Sequence, residues 1–255
     1  MFSQCPVKYE LTYELGFPTI FNVIKRFSNE KYNFNNKEDE ELKSHANIKG
    51  KIMHEVLKEN PAVTDIDKLV DNLLSAEKIN EQVTFIQLKE NIKKELTEFC
   101  GSEFYNNLSK YKEFRNEYEI YTEEGENYLY GIIDKFVVEK DKLIIIDYKT
   151  DDIELNALNK RAVDYFQQLT FYAYVLSRYF NSYDKYELLI VFTKYPDNVV
   201  AKSLTGSELA KFKEQLNKAV NNIQNGIFIP NYNHCSSCHF TIEGNKCIKQ
   251  QEISK

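Results

Sequence analysis

An α/β fold, a mixed β-sheet flanked by helices with a helical elaboration before it, is what this sequence predicts. Three observations carry that expectation. Residues 48–113 place apolar residues at helical spacing, residues 116–150 hold three apolar strands in succession, and residues 162–226 run helix, strand, helix.

Taken in order, residues 28–47 (SNEKYNFNNKEDEELKSHAN) are rich in Asn, Lys and Glu and read as a loop or frayed connection. In IKGKIMHEVLK, residues 48–58, Ile48, Ile52 and Val56 recur at helical spacing, with Met53 and Leu57 beside them. Residues 66–113 read as two or three amphipathic helices, marked by Leu69, Leu73, Leu74 and then Ile86, Ile92, Leu96, Phe99. NEYEIYT (116–122), YLYGIIDKFVVE (128–139) and KLIIIDYKT (142–150) read as three strands. AVDYFQQLTFYAYVLSRYF (162–180) is a strongly apolar helix, and YELLIVFTK (186–194) a buried strand. VVAKSL (199–204) is a further element. The segment 206–226 is a helix, with Ser207 as its N-cap and Gly226 beyond its end. Residues 227–255 form a Cys-rich loop.

The chain is long enough for a sizeable core, and 42% hydrophobic residues argue against disorder. No apolar run approaches a membrane span and the first residues carry no signal-peptide core, so a soluble, cytoplasmic protein without a membrane partner is expected. Five cysteines without a secretion signal point to metal binding or burial rather than a disulfide framework. The net charge of -6 does not advertise a nucleic-acid binder, but it is unevenly spread. Residues 51–130 carry ten Lys/Arg against seventeen Asp/Glu, whereas residues 131–255 carry sixteen against fifteen. The acidity therefore belongs to the helical segment and not to the strands that follow.

Chemistry concentrates in GIIDKFVVEKDKLIIIDYKT. Two apolar strands are joined by Glu139-Lys140-Asp141-Lys142. A hairpin symmetric about Lys140-Asp141 sets Asp134 opposite Asp147. Side chains so opposed have Cβ atoms about 4.5–5.5 Å apart, and like charges there destabilise the sheet. Apolar neighbours strip both carboxylates of solvent. A divalent cation resolves both problems, since Mg²⁺ is bound by one or two carboxylates with phosphate oxygens and water. Lys149 lies on the same face as Asp147 by strand period two. Its ammonium can orient or deprotonate a water and offset phosphate charge, which suits in-line phosphodiester hydrolysis.

The segment resembles the PD-(D/E)XK superfamily in its RecB-like branch, which includes the AddA and AddB nuclease domains and CRISPR-associated RecB-like exonucleases. The pattern G-h-h-D, h-h-D/E-h-K and Q-x-x-x-Y is met by Gly131 to Asp134, Ile146 to Lys149, and Gln168 with Tyr172. An upstream G-x-x-x-H is met by Gly50 and His54. The resemblance implies a restriction-endonuclease-like sheet and one nuclease domain over residues 1–255. Within it, 48–113 is the helical elaboration, 116–226 the catalytic core and 227–255 a tail closing onto the N-terminus. It implies that Asp134, Asp147, His54 and the Tyr148 carbonyl hold Mg²⁺ or Mn²⁺, and that Lys149 activates water. Gln168 and Tyr172, one helical turn apart, steady the active-site strand or contact DNA. Glu117 or Glu119 adds a further carboxylate.

The tail reads His234-Cys235-Ser236-Ser237-Cys238-His239 and then Cys247. A C-x₂-C turn supplies two thiolates to one metal. Cys247, with the distant Cys5 in Phe2-Ser3-Gln4-Cys5-Pro6, would complete a four-thiolate site. The N-terminal F-S-x-C-P with C-x₂-C-x₈-C is similar to the iron–sulfur staple of AddB-type and CRISPR-associated nucleases, which implies a [4Fe–4S] cluster. Zinc fits the same thiolates, with His234 or His239 as a substitute ligand. Tying the chain ends closes a loop of more than two hundred residues, the kind of cross-link that stabilises most in principle. Cys100 reads as a buried apolar residue.

Tyr and Phe are abundant, at 18 and 17, but most fall at core spacings, so few are expected to stack on bases. Lys8, Lys25, Arg26, Lys160 and Arg161 are candidates to track a phosphate backbone. No Gly-rich loop ending in G-K-[ST] is present, so a separate helicase is the expected motor partner. The expected activity is a metal-dependent DNA nuclease, an exonuclease in repair or recombination. A CRISPR-adaptation nuclease with the same chemistry and a non-catalytic DNA-binding scaffold are the alternatives.

Overall fold

The computed structural model describes residues 2–16, 37–77, 82–238, 240–242 and 246–247. The chain divides into two compact units, Met1–Phe34 with Lys213–Lys255, and Asn35–Phe212. In chain order the helices are α1 (Pro6–Tyr9), α2 (Lys37–Lys58), α3 (Ile66–Ser75), α4 (Gln82–Gly101), α5 (Glu103–Leu108), α6 (Leu158–Ser177) and α7 (Gly206–Gln224). The strands are β1 (Phe114–Glu124), β2 (Asn127–Val138), β3 (Leu143–Lys149), β4 (Lys185–Phe192) and β5 (Val200–Thr205), with a short pair β6 (Thr241–Ile242) and β7 (Lys246–Cys247).

The first five strands form one mixed sheet in the order β1-β2-β3-β4-β5. Neighbours are antiparallel except β3 and β4, which are parallel. Parallel neighbours need a crossover connection, and α6 supplies it. The result is the restriction-endonuclease-like α/β architecture expected from the sequence. The β2–β3 hairpin turns on Lys140 and Asp141, with Glu139 N–H donating to the Lys142 carbonyl at 3.0 Å. That turn sets Lys135 opposite Ile146 and Phe136 opposite Ile145.

One face of the sheet, through Val137, Ile144, Ile146, Tyr148 and Val191, packs on Ile52, Val56, Ile66, Leu74, Ile92, Leu96 and Phe99 of helices α2 to α4. Strand period two sends Ile145, Asp147 and Lys149 to the other face. There the Lys149 ammonium lies 4.3 Å from the centre of the Tyr165 ring on α6. Residues Leu143 to Tyr148 are therefore all buried, which explains the unbroken apolar run in a strand covered on both sides.

Two boundaries differ from the sequence reading. Helix α2 begins at Lys37, inside the segment read as a loop. KEDEELK has no apolar stripe, but Glu, Lys and Leu are good helix formers and acidic residues suit the first turns. Residues 28–36 lie outside the described residues, as do Lys25, Arg26 and His239. Helix α7 is capped by Thr205 and not Ser207. The Glu208 carboxylate accepts from the Thr205 N–H and hydroxyl, both at 2.9 Å, the acidic half of a capping box. At its other end Gly226, at φ 65°, donates to the Ile223 carbonyl while Ile227 donates to that of Asn222, a Schellman ending.

The terminal unit has its own small core. Cys5, Val7, Leu11, Phe240 and Cys247 are buried there, with Phe228, Cys235 and Cys238 packed against them.

Phe99 is fully buried and meets the Tyr148 ring edge-on at 5.5 Å, joining the helical layer to the sheet. Phe99→Ala is expected to cost about 3–5 kcal/mol, read as a lower urea midpoint with an unchanged slope.

Candidate active site

Strands β2 and β3 part company at the residues that matter. Their pairing ends at Lys135 and Ile146, one step short of Asp134 and Asp147, while β3 stays paired to β4 through Lys149. At this fork the Asp134 carboxylate replaces a backbone acceptor, taking the Tyr148 N–H at 2.7 Å. Its other oxygen lies 3.4 Å from His54 Nδ1. On the other side of β2, Glu117 comes opposite Asp134 but drops out of the ladder, with φ at 44°. A non-glycine residue in the left-handed region within a strand is uncommon and costs about 1–3 kcal/mol.

These residues form a donor set. One atom each of His54, Glu117 and Asp134 lies within 4.8 Å of the others. An imidazole and two carboxylates suit Mn²⁺ or Mg²⁺, whose ligands sit about 2.0–2.1 Å from the ion, so a small closure would bring all three onto one cation. Glu117 and not Glu119 belongs to this group. Asp147 stands outside the triad. Tyr148 enters the site through its amide.

Asp147 is 3% exposed. Its Oδ2 lies 2.6 Å from Lys149 Nζ but off hydrogen-bonding angles, which leaves that oxygen without a hydrogen bond. A buried carboxylate oxygen whose charge is met by a single ammonium and by no hydrogen bond, beside three metal-type donors, fits a cation site. Burial first, and then Asp134, push the Asp147 carboxyl up to about 7, against the opposing pull of Lys149 and His54. Burial also raises Glu117, reinforced by Asp134. Burial alone would lower His54, but its bonds to Asp134 outweigh that and its pKa is raised.

Lys149 is held from two sides, by Asp147 and by the face of Tyr165. The Tyr165 hydroxyl donates to both oxygens of Asp151 at 2.8 Å. The sequence analysis assigned most Tyr and Phe to core spacings and did not single out Tyr165; its position three residues before Gln168 was the available signal. The strand end is fixed through its backbone. Thr193 N–H and hydroxyl reach the Lys149 carbonyl at 2.9 and 3.2 Å, and the same hydroxyl donates to Glu95 at 2.5 Å. Lys49 closes on Glu95 at 2.6 Å. A Cβ on the neighbouring Gly50 would stand 3.3 Å from the Thr150 hydroxyl, so α2 runs close to β3 here.

Gln168 and Tyr172 are joined, Gln168 Nε2 donating to the Tyr172 hydroxyl at 2.6 Å. Tyr172 is buried, and its ring occupies the space a side chain at Gly131 would need, 2.5 Å from the position of a Cβ. That explains the glycine of G-h-h-D: it admits α6 to the sheet beside Asp134.

In the terminal unit Cys5, Cys235, Cys238 and Cys247 line one pocket with Val7, Leu11 and Phe240. Burial raises the Cys235 thiol, and the other three sulfurs add to that shift, which records their proximity. No three of these sulfurs lie within 4.8 Å of one another. His234 meets Lys8, Nε2 to Nζ at 3.3 Å. Cys100 is buried beside Tyr105, and burial pushes its thiol up to about 11.

The PD-(D/E)XK nuclease superfamily pattern matches residues 1–242. No curated protein matches the chain. Among solved structures, the crystal structure of SSO0001 overlaps 76% of this chain and 92% of that one, at 17% identity and a TM-score of 0.32, too loose to bear on function. No helix among the described residues is long and apolar enough to cross a membrane.

Without metal, Asp147 and His54 both hold protons more tightly folded than unfolded. A raised folded pKa adds stability at low pH that is lost as pH rises through the folded value. Chelator-treated protein should therefore lose stability between about pH 4 and 7, and Asp147→Asn should flatten that slope. Loading a cation requires the deprotonated ligands, so Mn²⁺ titrated by calorimetry at about pH 6 in buffers of different ionisation enthalpy should release protons. Buffer-independent heats would contradict this account of the site.

Proposed function

The chain belongs to the PD-(D/E)XK nuclease superfamily, and from that premise we propose that it is a divalent-metal-dependent deoxyribonuclease of the RecB-like branch. The observation that carries the reading is the fork itself, where His54, Glu117 and Asp134 converge beside the Asp147–Lys149 pair. His54, Glu117 and Asp134 would hold Mg²⁺ or Mn²⁺, with Asp147 and the Tyr148 carbonyl completing its surroundings. The ion supplies Lewis acidity towards the scissile phosphate and the attacking water.

The protein's own groups do the rest. Lys149, held by Asp147 and the ring of Tyr165, orients the water and offsets charge growing on the phosphate oxygens. Gln168 and Tyr172 keep α6 seated on Gly131 and so fix the height of β2 at Asp134. DNA as substrate, exonucleolytic action, a role in repair or recombination and a separate helicase partner complete the proposal. The D-Y-K-T form of the third strand favours the helicase-linked reading over CRISPR adaptation.

For the terminal unit the proposal is a [4Fe–4S] cluster on Cys5, Cys235, Cys238 and Cys247. Zinc, at about 2.3 Å from each sulfur, would draw four thiolates to within about 4 Å of one another. The four thiols lining one pocket, near enough to act on Cys235, support one shared inorganic group. Protein purified without oxygen should carry iron and sulfide in equal amounts with broad visible absorption, and Cys235→Ser should lose both. Stoichiometric zinc with no iron would replace the cluster by the zinc alternative.

The activity test is cleavage of end-labelled single- and double-stranded DNA with Mn²⁺ or EDTA. Wild type should cut only with metal, and Lys149→Ala should fall by about a thousandfold. Binding of DNA without turnover by wild type would leave the scaffold reading in its place.

A further inference from the structure

Lys135 is the one fully buried cation among the described residues, 1% exposed in the middle of β2. Among the described residues no carboxylate pairs with it. Its ammonium donates to the side-chain oxygens of Asn60 at 3.0 Å and Asn116 at 2.8 Å, and lies 4.4 Å from the centre of the Phe114 ring. Asn116 in turn donates its amide to the Lys58 carbonyl, at the end of α2, at 2.7 Å. Burying an ammonium on neutral partners is costly, and an apolar side chain would fill the same space at less cost. The arrangement therefore needs a reason other than stability.

Its geometry supplies one. The residues of this knot lie on the same three stretches of chain as the donor set. Lys135 follows Asp134 on β2, Asn116 precedes Glu117 on β1, and Lys58 and Asn60 close the helix that carries His54. Among the described residues, the non-glycine residues with positive φ are Asn60, at 53°, and Glu117, at 44°, and both stand at this knot. Asn60 turns the chain just beyond α2 so that its side chain reaches Lys135. Glu117 takes up the distortion that follows when β1 is pinned at Asn116. Strands β1 and β2 are already paired through their backbones on both sides of Glu117, but without the knot α2 meets that pair through side-chain contacts, which resist sliding poorly. With it, they are joined by directed bonds within one residue of two of the donors.

We infer that Lys135 is a positioning residue for the cation site: its bonds to Asn60 and Asn116 hold the end of α2 on the β1–β2 pair in the position that brings His54, Glu117 and Asp134 onto one ion. This rests on the reading of those three residues as a metal site, and it assigns no contact between Lys135 and substrate.

The test is Mn²⁺ affinity of the full-length protein by electron paramagnetic resonance, beside thermal melting and the kinetics of DNA cleavage. Two variants separate positioning from folding. Lys135→Met keeps length and burial but removes the ammonium. Asn60→Gly suits the left-handed backbone and deletes only the acceptor. Groups that orient metal ligands typically change metal affinity by 10–100-fold when removed. Lys135→Met should accordingly weaken Mn²⁺ binding by about tenfold or more with its Tm unchanged or raised, and Asn60→Gly should shift it the same way by a smaller factor. Raising Mn²⁺ should restore most of the cleavage rate while KM for DNA stays at the wild-type value. Wild-type affinity in both variants, or a fall in Tm with no change in affinity, would overturn the inference and leave the knot a structural one. Failure of wild type itself to bind Mn²⁺ would instead remove the metal-site reading on which it rests.

Discussion

Three carboxylates drawn together at a strand fork set the terms for the rest of this structure. Asp134, Glu117 and Asp147 come from three adjacent strands, Asp134 grouped with Glu117 and Asp147 buried beside them, the other two half-buried. Like charges so placed repel, and burial removes the solvent that would screen them. The chain answers locally. Asp134 takes an N–H from Tyr148 and faces His54, and Asp147 has Lys149. The answer is incomplete, because Asp147 keeps an oxygen without a hydrogen bond and its carboxyl is pushed up to about 7. On the proposed reading a divalent cation would complete this set, and relief of the unfavourable arrangement would contribute to its affinity.

Much of the architecture can be read as the means of keeping those groups in place. Strand β3 is central, parallel to β4 and buried on both faces, so the end bearing Asp147 and Lys149 has little freedom. The helical layer covers one face with an apolar core that reaches from Phe99 to Tyr148. On the other face α6 presses Tyr172 into the space over Gly131 and Tyr165 against Lys149. The strain at Glu117, of about 1–3 kcal/mol, persists because these contacts outnumber it.

The fold was legible where apolar pattern and turn chemistry agree. LIIID and its partner FVV read as strands, and the two-residue turn at Lys140-Asp141 fixed the register that points Asp134 at Asp147. Period two then put Lys149 beside Asp147. Alternation could not choose between Glu117 and Glu119, since both lie on one face. The choice was nonetheless encoded: the turn at Gly125, with φ 63°, pairs Glu124 with Asn127 and so sets Glu117 opposite Asp134. The start of α2 was not legible, because KEDEELK helps a helix through propensity and charge and shows no apolar stripe. Nor was Lys135, which reads as one polar letter in an apolar strand. Its partners lie 75 and 19 residues away, and only tertiary packing brings them to it.

The two halves of the candidate site are anchored by different kinds of bond, and the difference fits their tasks. The donor side is held by side chains, with Lys135, Asn60 and Asn116 lashing three elements together just behind the ligands. Ligand atoms must meet an ion to within a few tenths of an ångström, so fixing the elements relative to one another is what counts. The lysine side is held by its backbone, with Thr193 on the Lys149 carbonyl and Glu95 behind Thr193. That leaves the Lys149 side chain restrained only by Asp147 and the face of a ring. For the role proposed for Lys149, beside a cation site and towards a phosphate, a fixed root and a movable tip would both be useful. A flexible four-carbon stem on a pinned carbonyl provides both.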